Sequence, residues 1–495
     1  MKKLFLSFCL LSGICMLPAQ TKVLSLDDCL DLALKQSKVL KIKQEEIKLA
    51  EAKKKQATTA YLPKIDGILS YTHNSDRMYL LSEDKFLPIG SKMADGSFGF
   101  RQDQINNQWT MIGEQPVPLD ANGQPFNPAT DPDKILWKDY TTIPRDELAV
   151  DMRNTYVGIL SLIQPVYMGG KIIQANKMAK IGVDIANEQK NQETNEVLYN
   201  TEAAYWTVVS VANKITVATD YQKLLKQLEK NVTELQNEGM ATKADVLKVK
   251  VKLNQVNMDL TKAVNGLSLA KMNLCQIIGL PVEQEIALED ELNPKETIYA
   301  ADNNPVSLDA ALNNRPEIKS LEKLIDLSEA KKKLAISGYL PEIGLTANYL
   351  YSNPDFFNGF EKEFSGSWNV GVMMKIPLLH WGDNHYKIKE AKSEQIIAQT
   401  KLNDTREKIE LQYHQAIYRI EESNKKLQAA NSNLEQAKEN LRYAQLSFDE
   451  GLVGITDVLE AQTSHFAAYS DQVDTQIELK INQLFLKKVT GKMNN

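Results

Sequence analysis

Cysteine is scarce in this chain of 495 residues: four occur, and two of them, Cys9 and Cys15, lie before position 20. Cys29 and Cys275 remain, each at an apolar helical position, which reads as two buried free thiols rather than a disulfide or a metal site. Histidine is as sparse. His73, His380, His385, His414 and His465 form no His-Glu-x-x-His or other ligand spacing, and His380-Trp381-Gly382-Asp383-Asn384-His385 reads as a strand-to-helix junction. Gly169-Gly170-Lys171 lacks the upstream Gly of a phosphate loop, and no Ser-His-Asp set stands out. The expectation is no metal, no cofactor and no enzyme. The net charge is -6 with no dominant basic stripe, which argues against nucleic acid as a partner. Past the N-terminus there is no apolar run of about 18 residues, so no membrane-crossing helix is expected.

The N-terminus itself reads as a secretory signal over 1–19. Lys2 and Lys3 form its basic start, Leu4–Leu17 its apolar segment, and Leu17-Pro18-Ala19 its cleavage site, so the mature chain begins near Gln20. Lipidation at Cys15 is disfavoured because Ile14 before it is not small.

What the chain does have is a duplicate of itself. Glu51-Ala52-Lys53-Lys54-Lys55 returns as Glu329-Ala330-Lys331-Lys332-Lys333, and Tyr61-Leu62-Pro63 as Tyr339-Leu340-Pro341, both at an offset of 278. Pro165, Gly170, Gly239 and Gly279 return as Pro377, Gly382, Gly451 and Gly491, all at an offset of 212. The expected domains are a first repeat over 20–281, a polar linker over 282–306 and a second repeat over 307–495. Each repeat reads as a helix (26–60 or 308–338) stopped by Leu-Pro, then a strand (64–73 or 343–352) and a second strand (156–165 or 367–376). A very long helix follows (171–238 or 383–450), then a tight tip and a return helix (243–278 or 455–490).

A polar helix of nearly seventy residues would reach about 100 Å and needs a coiled-coil partner. Leu427, Leu434, Leu441 and Phe448 recur every seventh residue, as do Val246, Leu253, Leu260, Leu267 and Leu274. The return helices are half as long as their partners. The expectation is that 308–338 completes the first stack end to end and 26–60 the second.

Four strands with one apolar face cannot close a membrane barrel, and open edges are not tolerated in lipid. Two chains give a barrel too narrow for a pore and three give twelve strands, so a homotrimer is inferred. The competing structural reading is a soluble two-sheet protein with helical arms. The connection 74–155 lies between two strands, on the end away from the helices, where extracellular loops belong. Asp120-Ala121-Asn122-Gly123 within it is read as an ordinary turn rather than a calcium loop.

With these features in order, the whole mature chain resembles the TolC-like outer-membrane efflux family. The duplicated repeat, the two Tyr-Leu-Pro steps, Gln164–Gly170 and the tips at 239–247 and 451–459 carry the resemblance. It implies a mainly α fold with a membrane β-barrel: a homotrimer whose four strands per protomer build a twelve-stranded barrel, continuous with an antiparallel coiled-coil tunnel. It implies a passive exit duct in the outer membrane of a Gram-negative bacterium, with a periplasmic extension. Its partners would be outer-membrane lipid, a periplasmic adaptor (membrane fusion protein) and an inner-membrane efflux pump or ABC exporter that supplies the energy. The alternative from another class is a trimeric coiled-coil surface scaffold or adhesin without a pore.

In the resemblance, the gate falls on Asp245, Phe448, Val453, Asp457 and Glu460. The family's first-tip aspartate is kept as Asp245, but its tyrosine is Phe448 here and its arginine is Val453. A polar lock is therefore missing, and Lys243 is one candidate partner for Asp245. By their spacing alone, Asp457 and Glu460 share a helix face and read as helix-start carboxylates; the resemblance makes them rings of charge at the constriction. Gly239, Met240, Ala241, Gly451, Leu452, Val453, Gly454, Ile455 and Thr456 are the expected adaptor-contact tips, with Thr242 and Thr456 as helix caps.

Overall fold

The computed structural model describes residues 22–88, 91–92, 98–99, 103, 105–292 and 307–493. The expected signal segment and residues 293–306 of the expected linker lie outside these. The chain begins with β1 (Lys22–Leu24), α1 (Leu26–Gln36), α2 (Lys38–Thr59) and β2 (Lys64–His73). Short strands follow: β3 (Met78–Tyr79), β4 (Lys85–Pro88), β5 (Ser91–Lys92), β6 (Phe98–Gly99), β7 (Trp109–Ile112), β8 (Gln115–Pro118), β9 (Tyr140–Ile143) and β10 (Ala149–Val150). Then come β11 (Asn154–Met168), α3 (Lys171–Asn237), α4 (Lys243–Ile278), β12 (Ile286–Leu288), α5 (Glu289–Leu292), α6 (Leu308–Asn314) and α7 (Pro316–Ile336). The last elements are β13 (Glu342–Asn353), β14 (Ser365–Lys375), α8 (Asp383–Asp449) and α9 (Ile455–Val489). They form two units, a helical one (22–59, 169–340, 377–493) and a β one (60–168, 341–376).

In the helical unit, α3 and α8 are each 67 residues long and pack antiparallel on α4 and α9. Neither the expected helix 26–60 nor 308–338 is continuous. Each breaks at an equivalent residue, Ser37 and Arg315, 278 apart, where ψ opens to 125° and 120°. In the second repeat Pro316 enforces the break, because it has no N–H to donate and excludes helical geometry before it.

The end-to-end stacking is the reverse of the expected one. Gly279, closing α4 at φ +81°, sits so near Gln36 that a Cβ there would lie 2.7 Å from the Gln36 carbonyl oxygen. Gly491, closing α9, sits against Asn314 in the same way. Each return helix is thus continued by the short helix of its own repeat. The Arg315 guanidinium, 7% exposed, fastens the second joint by donating to the Lys488 and Val489 carbonyls at 3.1 and 3.4 Å while pairing with Glu317 at 2.8 Å.

Around the first joint lies the largest buried cluster, including Leu24, Cys29, Tyr205, Val208, Leu274, Cys275 and Ile278. Both cysteines are buried, and neither is in a disulfide among the described residues. The pairing of β1 with β12 brings Leu24 beside Leu288, and the Tyr205 hydroxyl donates to Asp290 at 2.7 Å.

In the β unit, four antiparallel strands run in the order β14-β13-β11-β2. The register puts Leu69 opposite Gly158, Leu160 opposite Tyr349, and Tyr349 opposite Trp368. One face therefore carries Ile65, Leu69, Leu160, Leu345, Val370 and Val372, edged by Tyr71, Tyr156, Tyr349, Tyr351 and Trp368. The other carries Asp66, Ser70, Ser161, Asn348 and Asn369, with Asn348 donating to Asn369 at 3.0 Å. The apolar face is bare: Leu69 is 92% and Trp368 74% exposed. β2 and β14 each leave one edge unpaired among the described residues. β11 outruns the expected 156–165 because a bulge between Pro165 and Tyr167 absorbs the missing proline N–H. Gly366 makes room for the Tyr349 ring, which covers it.

The long connection folds on its own small core of Ile105, Phe126 and Ile135 with Trp109 and Trp137. Asp151 ties it down. Arg153 donates to this carboxylate at 2.8 and 2.7 Å, and Lys362 from the β13–β14 connection donates as well, holding its pKa far below the usual range. Asp120 accepts from the Asn122 and Gln124 amides at 2.9 Å each, an ordinary turn. Among the described residues no helix is long and apolar enough to cross a membrane, and no group of three His, Cys, Asp or Glu is placed to hold a metal ion.

Candidate functional site

The two tips are built alike because the sequence repeats the same stop and start signals. α3 and α8 each end in a left-handed glycine, Gly239 at φ +80° and Gly451 at φ +73°. The next amide reaches back five residues: Met240 to Leu235 and Leu452 to Ser447, both at 2.8 Å. This closes the helix ends and turns the chain in few residues.

The return helices start differently. Thr242 caps α4 with a reciprocal pair: its hydroxyl accepts from the Asp245 amide at 3.2 Å, and Asp245 accepts from the Thr242 amide at 3.1 Å. The position equivalent to Thr242 is Gly454, not Thr456, and it has no side chain to offer. Only the return bond survives there, from the Gly454 amide to Asp457 at 2.9 Å. Asp457 is thus a helix-start carboxylate as well as a candidate gate residue. Glu460, one turn on, is exposed and makes no hydrogen bond or ion pair among the described residues.

Asp245 has a basic partner, but it is Lys248 rather than Lys243. The Lys248 ammonium lies 3.4 Å from Asp245 and donates to the Thr456 hydroxyl at 3.2 Å, crossing from one tip to the other. The Thr242 hydroxyl and amide, and secondarily Lys248, pull the Asp245 pKa below its ordinary value. Nothing in the sequence alone singles out Lys248, since its role needs the two tips placed side by side.

Behind the turns, α3, α4 and α9 share a core of Leu228, Val232, Val246, Val249, Ile455 and Val458. Burying each such side chain contributes roughly 1.5–3 kcal/mol. Phe448 and Ala241 pack half-buried against it. Phe448 is therefore held within its own protomer. Ile455, expected as an exposed tip contact, is 4% exposed and belongs to this core. Val453 is half-buried, whereas Gly239, Gly451, Gly454 and Thr456 are exposed. The apolar residues left bare are Met240 at 68% and Leu452 at 78%, equivalent positions 212 apart.

A second layer lies further along the helices. Tyr221 stacks on Phe466 with ring centroids 4.9 Å apart, and its hydroxyl is 3.2 Å from that of Thr463. Burial raises the Tyr221 pKa. This clamp joins α3 to α9 and was not foreseen; its aromatic pair is 245 residues apart in sequence.

Residues 307–492 match the family model described as outer membrane efflux protein. The chain is 22% identical over 262 residues to the alkaline protease secretion protein AprF of Pseudomonas aeruginosa, covering 52% of this chain and 53% of that one. It is also 22% identical over 327 residues to the outer membrane protein TolC of Escherichia coli K12, covering 63% and 64%. The matched stretches thus span between half and two thirds of these relatives' length. The fold is shared more widely. A membrane protein from Pseudomonas aeruginosa superposes with a TM-score of 0.70 at 15% identity, covering 94% of this chain and 93% of that one. The outer membrane channel CmeC of Campylobacter jejuni does so at 0.68 and 16%, covering 94% and 85%.

Proposed function

We infer that this chain, a member of the TolC-like outer-membrane efflux family, is the passive exit duct of a tripartite efflux or secretion system. One observation carries the reading. A single chain joins a four-stranded sheet, with one bare apolar face and two open edges, to helical hairpins whose tips each bare one apolar side chain. The sheet face suits lipid on one side and water on the other, and its edges need further copies to close. Three copies give twelve strands, which leaves a water-filled lumen. Met240 and Leu452, the bare apolar side chains of the two tips, are the residues this reading assigns to docking against a periplasmic adaptor. Relatives include an alkaline protease secretion protein and an antibiotic efflux pump protein of Pseudomonas putida, so type I secretion and small-molecule efflux are both within reach of the fold. The driving energy comes from an inner-membrane pump or ABC exporter.

Within this duct, Asp457 and Glu460 line the mouth. Threefold repetition stacks two carboxylate rings that favour cations and bind divalent ions. The test is conductance of the purified protein in planar bilayers. A small, cation-selective conductance blocked by divalent ions is expected. A folded trimer that never conducts, even with its adaptor, would favour the scaffold or adhesin reading.

A further inference from the structure

The C-terminal part of α2 and the N-terminal part of α3, which adjoin the sheet strands in the chain, carry a charge imbalance. From Ala52 to Ile65 and from Gly169 to Val183 there are seven lysines and no acidic residue, in a chain whose net charge is -6. The two stretches lie side by side. The Thr58 hydroxyl donates to Asn176 at 3.1 Å, Asn176 donates to the Ala57 carbonyl at 2.9 Å, and deeper down Lys190 donates to Gln44 at 2.7 Å. That antiparallel register sets Lys53, Lys54 and Lys55 level with Lys177 and Lys180. All five are exposed, and none makes an ion pair among the described residues.

A merely solvated helix face does not account for this. Of the five other lysines on α1 and α2, three are paired, Lys35 with Asp31, Lys43 with Glu46 and Lys48 with Glu45, and only Lys38 and Lys41 are not, whereas the collar lysines are unpaired without exception. Nor does the helix dipole explain it, because the last turn of α2 contains no basic residue. The placement along the chain is informative. α2 stops at Thr59 and β2 starts at Lys64, so four residues, a span of at most about 18 Å from Thr59 to Lys64, separate the lysine helix from the strand with the apolar face. Between them stands Tyr61, 44% exposed, an aromatic of the kind that anchors a membrane interface, followed by Leu62, 58% exposed.

We propose that Lys53, Lys54, Lys55, Lys177 and Lys180 form a basic collar that binds anionic phospholipid headgroups at the membrane surface next to the β unit. The collar would fix how deep the protein sits by adding electrostatic attraction to apolar insertion. Each lysine at an anionic surface contributes about 1 kcal/mol, a factor of about five in affinity, and the attraction is screened by salt. The inference rests on reading the sheet as a barrel wall.

The test titrates purified protein in neutral detergent with phosphatidylglycerol and, separately, phosphatidylcholine, and counts bound lipid by native mass spectrometry. Wild type should prefer phosphatidylglycerol at least about tenfold. Glutamine at all five positions should abolish the preference, and arginine at all five should keep it. Glutamine at Lys35, Lys223, Lys226, Lys230 and Lys262, an equal change of charge far from the collar, should also keep it. If the collar glutamine variant fails to fold, wild type at about 1 M salt, where screening is complete within a few ångströms, should lose the preference. Equal binding of the two lipids by wild type, equal losses in collar and control variants, or displacement by inorganic phosphate at the lipid's own concentration would each overturn the collar. A bilayer conductance measured alongside separates the two readings: a conducting channel without lipid preference refutes the collar alone.

Discussion

Lys248 on the first return helix and Thr456 on the second are joined by a hydrogen bond of 3.2 Å, so a lysine bridges the two tips of one protomer. The same ammonium lies 3.4 Å from Asp245. It is about half exposed, so the bond should contribute no more than about 1 kcal/mol. Lys248→Met and Thr456→Val should each lower stability slightly, and the double variant by less than the sum. A double-mutant cycle on thermal unfolding reads the coupling, and strict additivity would show that the bridge carries none.

Four glycines separate strain from crowding. Gly279 and Gly239 have nearly the same φ, +81° and +80°, but only Gly279 has a backbone carbonyl within reach of a Cβ. Gly239→Ala should therefore cost about 1 kcal/mol, the left-handed penalty alone. Gly279→Ala should cost at least about 2 kcal/mol more because Gln36 must move. Gly451→Ala should resemble the first, and Gly491→Ala should fall between the two because its nearest neighbours, atoms of Asn314, stand at 3.0–3.3 Å, as read from denaturant midpoints.

Asp245 gives the first tip a pH dependence. Its carboxyl pKa is depressed in the folded protein, so its contribution is present above the unfolded value of about 3.9. That contribution is lost as pH falls through the depressed folded value. Amide exchange in the first turn of α4 should accelerate in that acid range. Asp245→Asn should show the faster exchange already at neutral pH and respond less to acid. Thr242→Ala should cost about 1 kcal/mol in the same assay.

On the proposed duct reading, Asp457→Ala combined with Glu460→Ala should leave conductance in place but remove the cation preference and divalent block expected of the wild type. Reversal potentials under a salt gradient measure the first, and calcium titration the second. A pore indifferent to both substitutions would move the constriction away from these two carboxylates.

Much of this was legible from spacing. The return helix expected over 243–278 is found at Lys243–Ile278, and the strand expected over 64–73 at Lys64–His73, because Gly, Thr and Pro mark their ends unambiguously. The break at Ser37 was invisible, since serine is compatible with a helix and only the approach of Gly279 makes sense of it. Arg315-Pro316 carried a readable signal in its proline that the helical pattern around it obscured. At the tips, the exposed apolar surface was overestimated: Ile455 follows the same turn as Leu452, but the helix it starts rotates it inward. Cross-tip contacts such as Lys248 with Thr456 depend on the packing of two hairpins and leave no trace in either one alone.

The joints at Gly279 and Gly491 make the two rails of each hairpin mechanically unequal. A pull on Met240 or Leu452 travels along α3 or α8 through unbroken covalent chain. Along α4 or α9 it must cross a gap to Gln36 or Asn314 through packing, helped in the second copy by the hydrogen bonds of Arg315. The unbroken helix therefore bears tension through its own backbone, while the jointed one passes load across its seam only through the buried cluster at Gly279 or the Arg315 bonds at Gly491. Each hairpin is a continuous rod beside a spliced one, and the splice is where a load applied at a tip is handed from one segment of the chain to another.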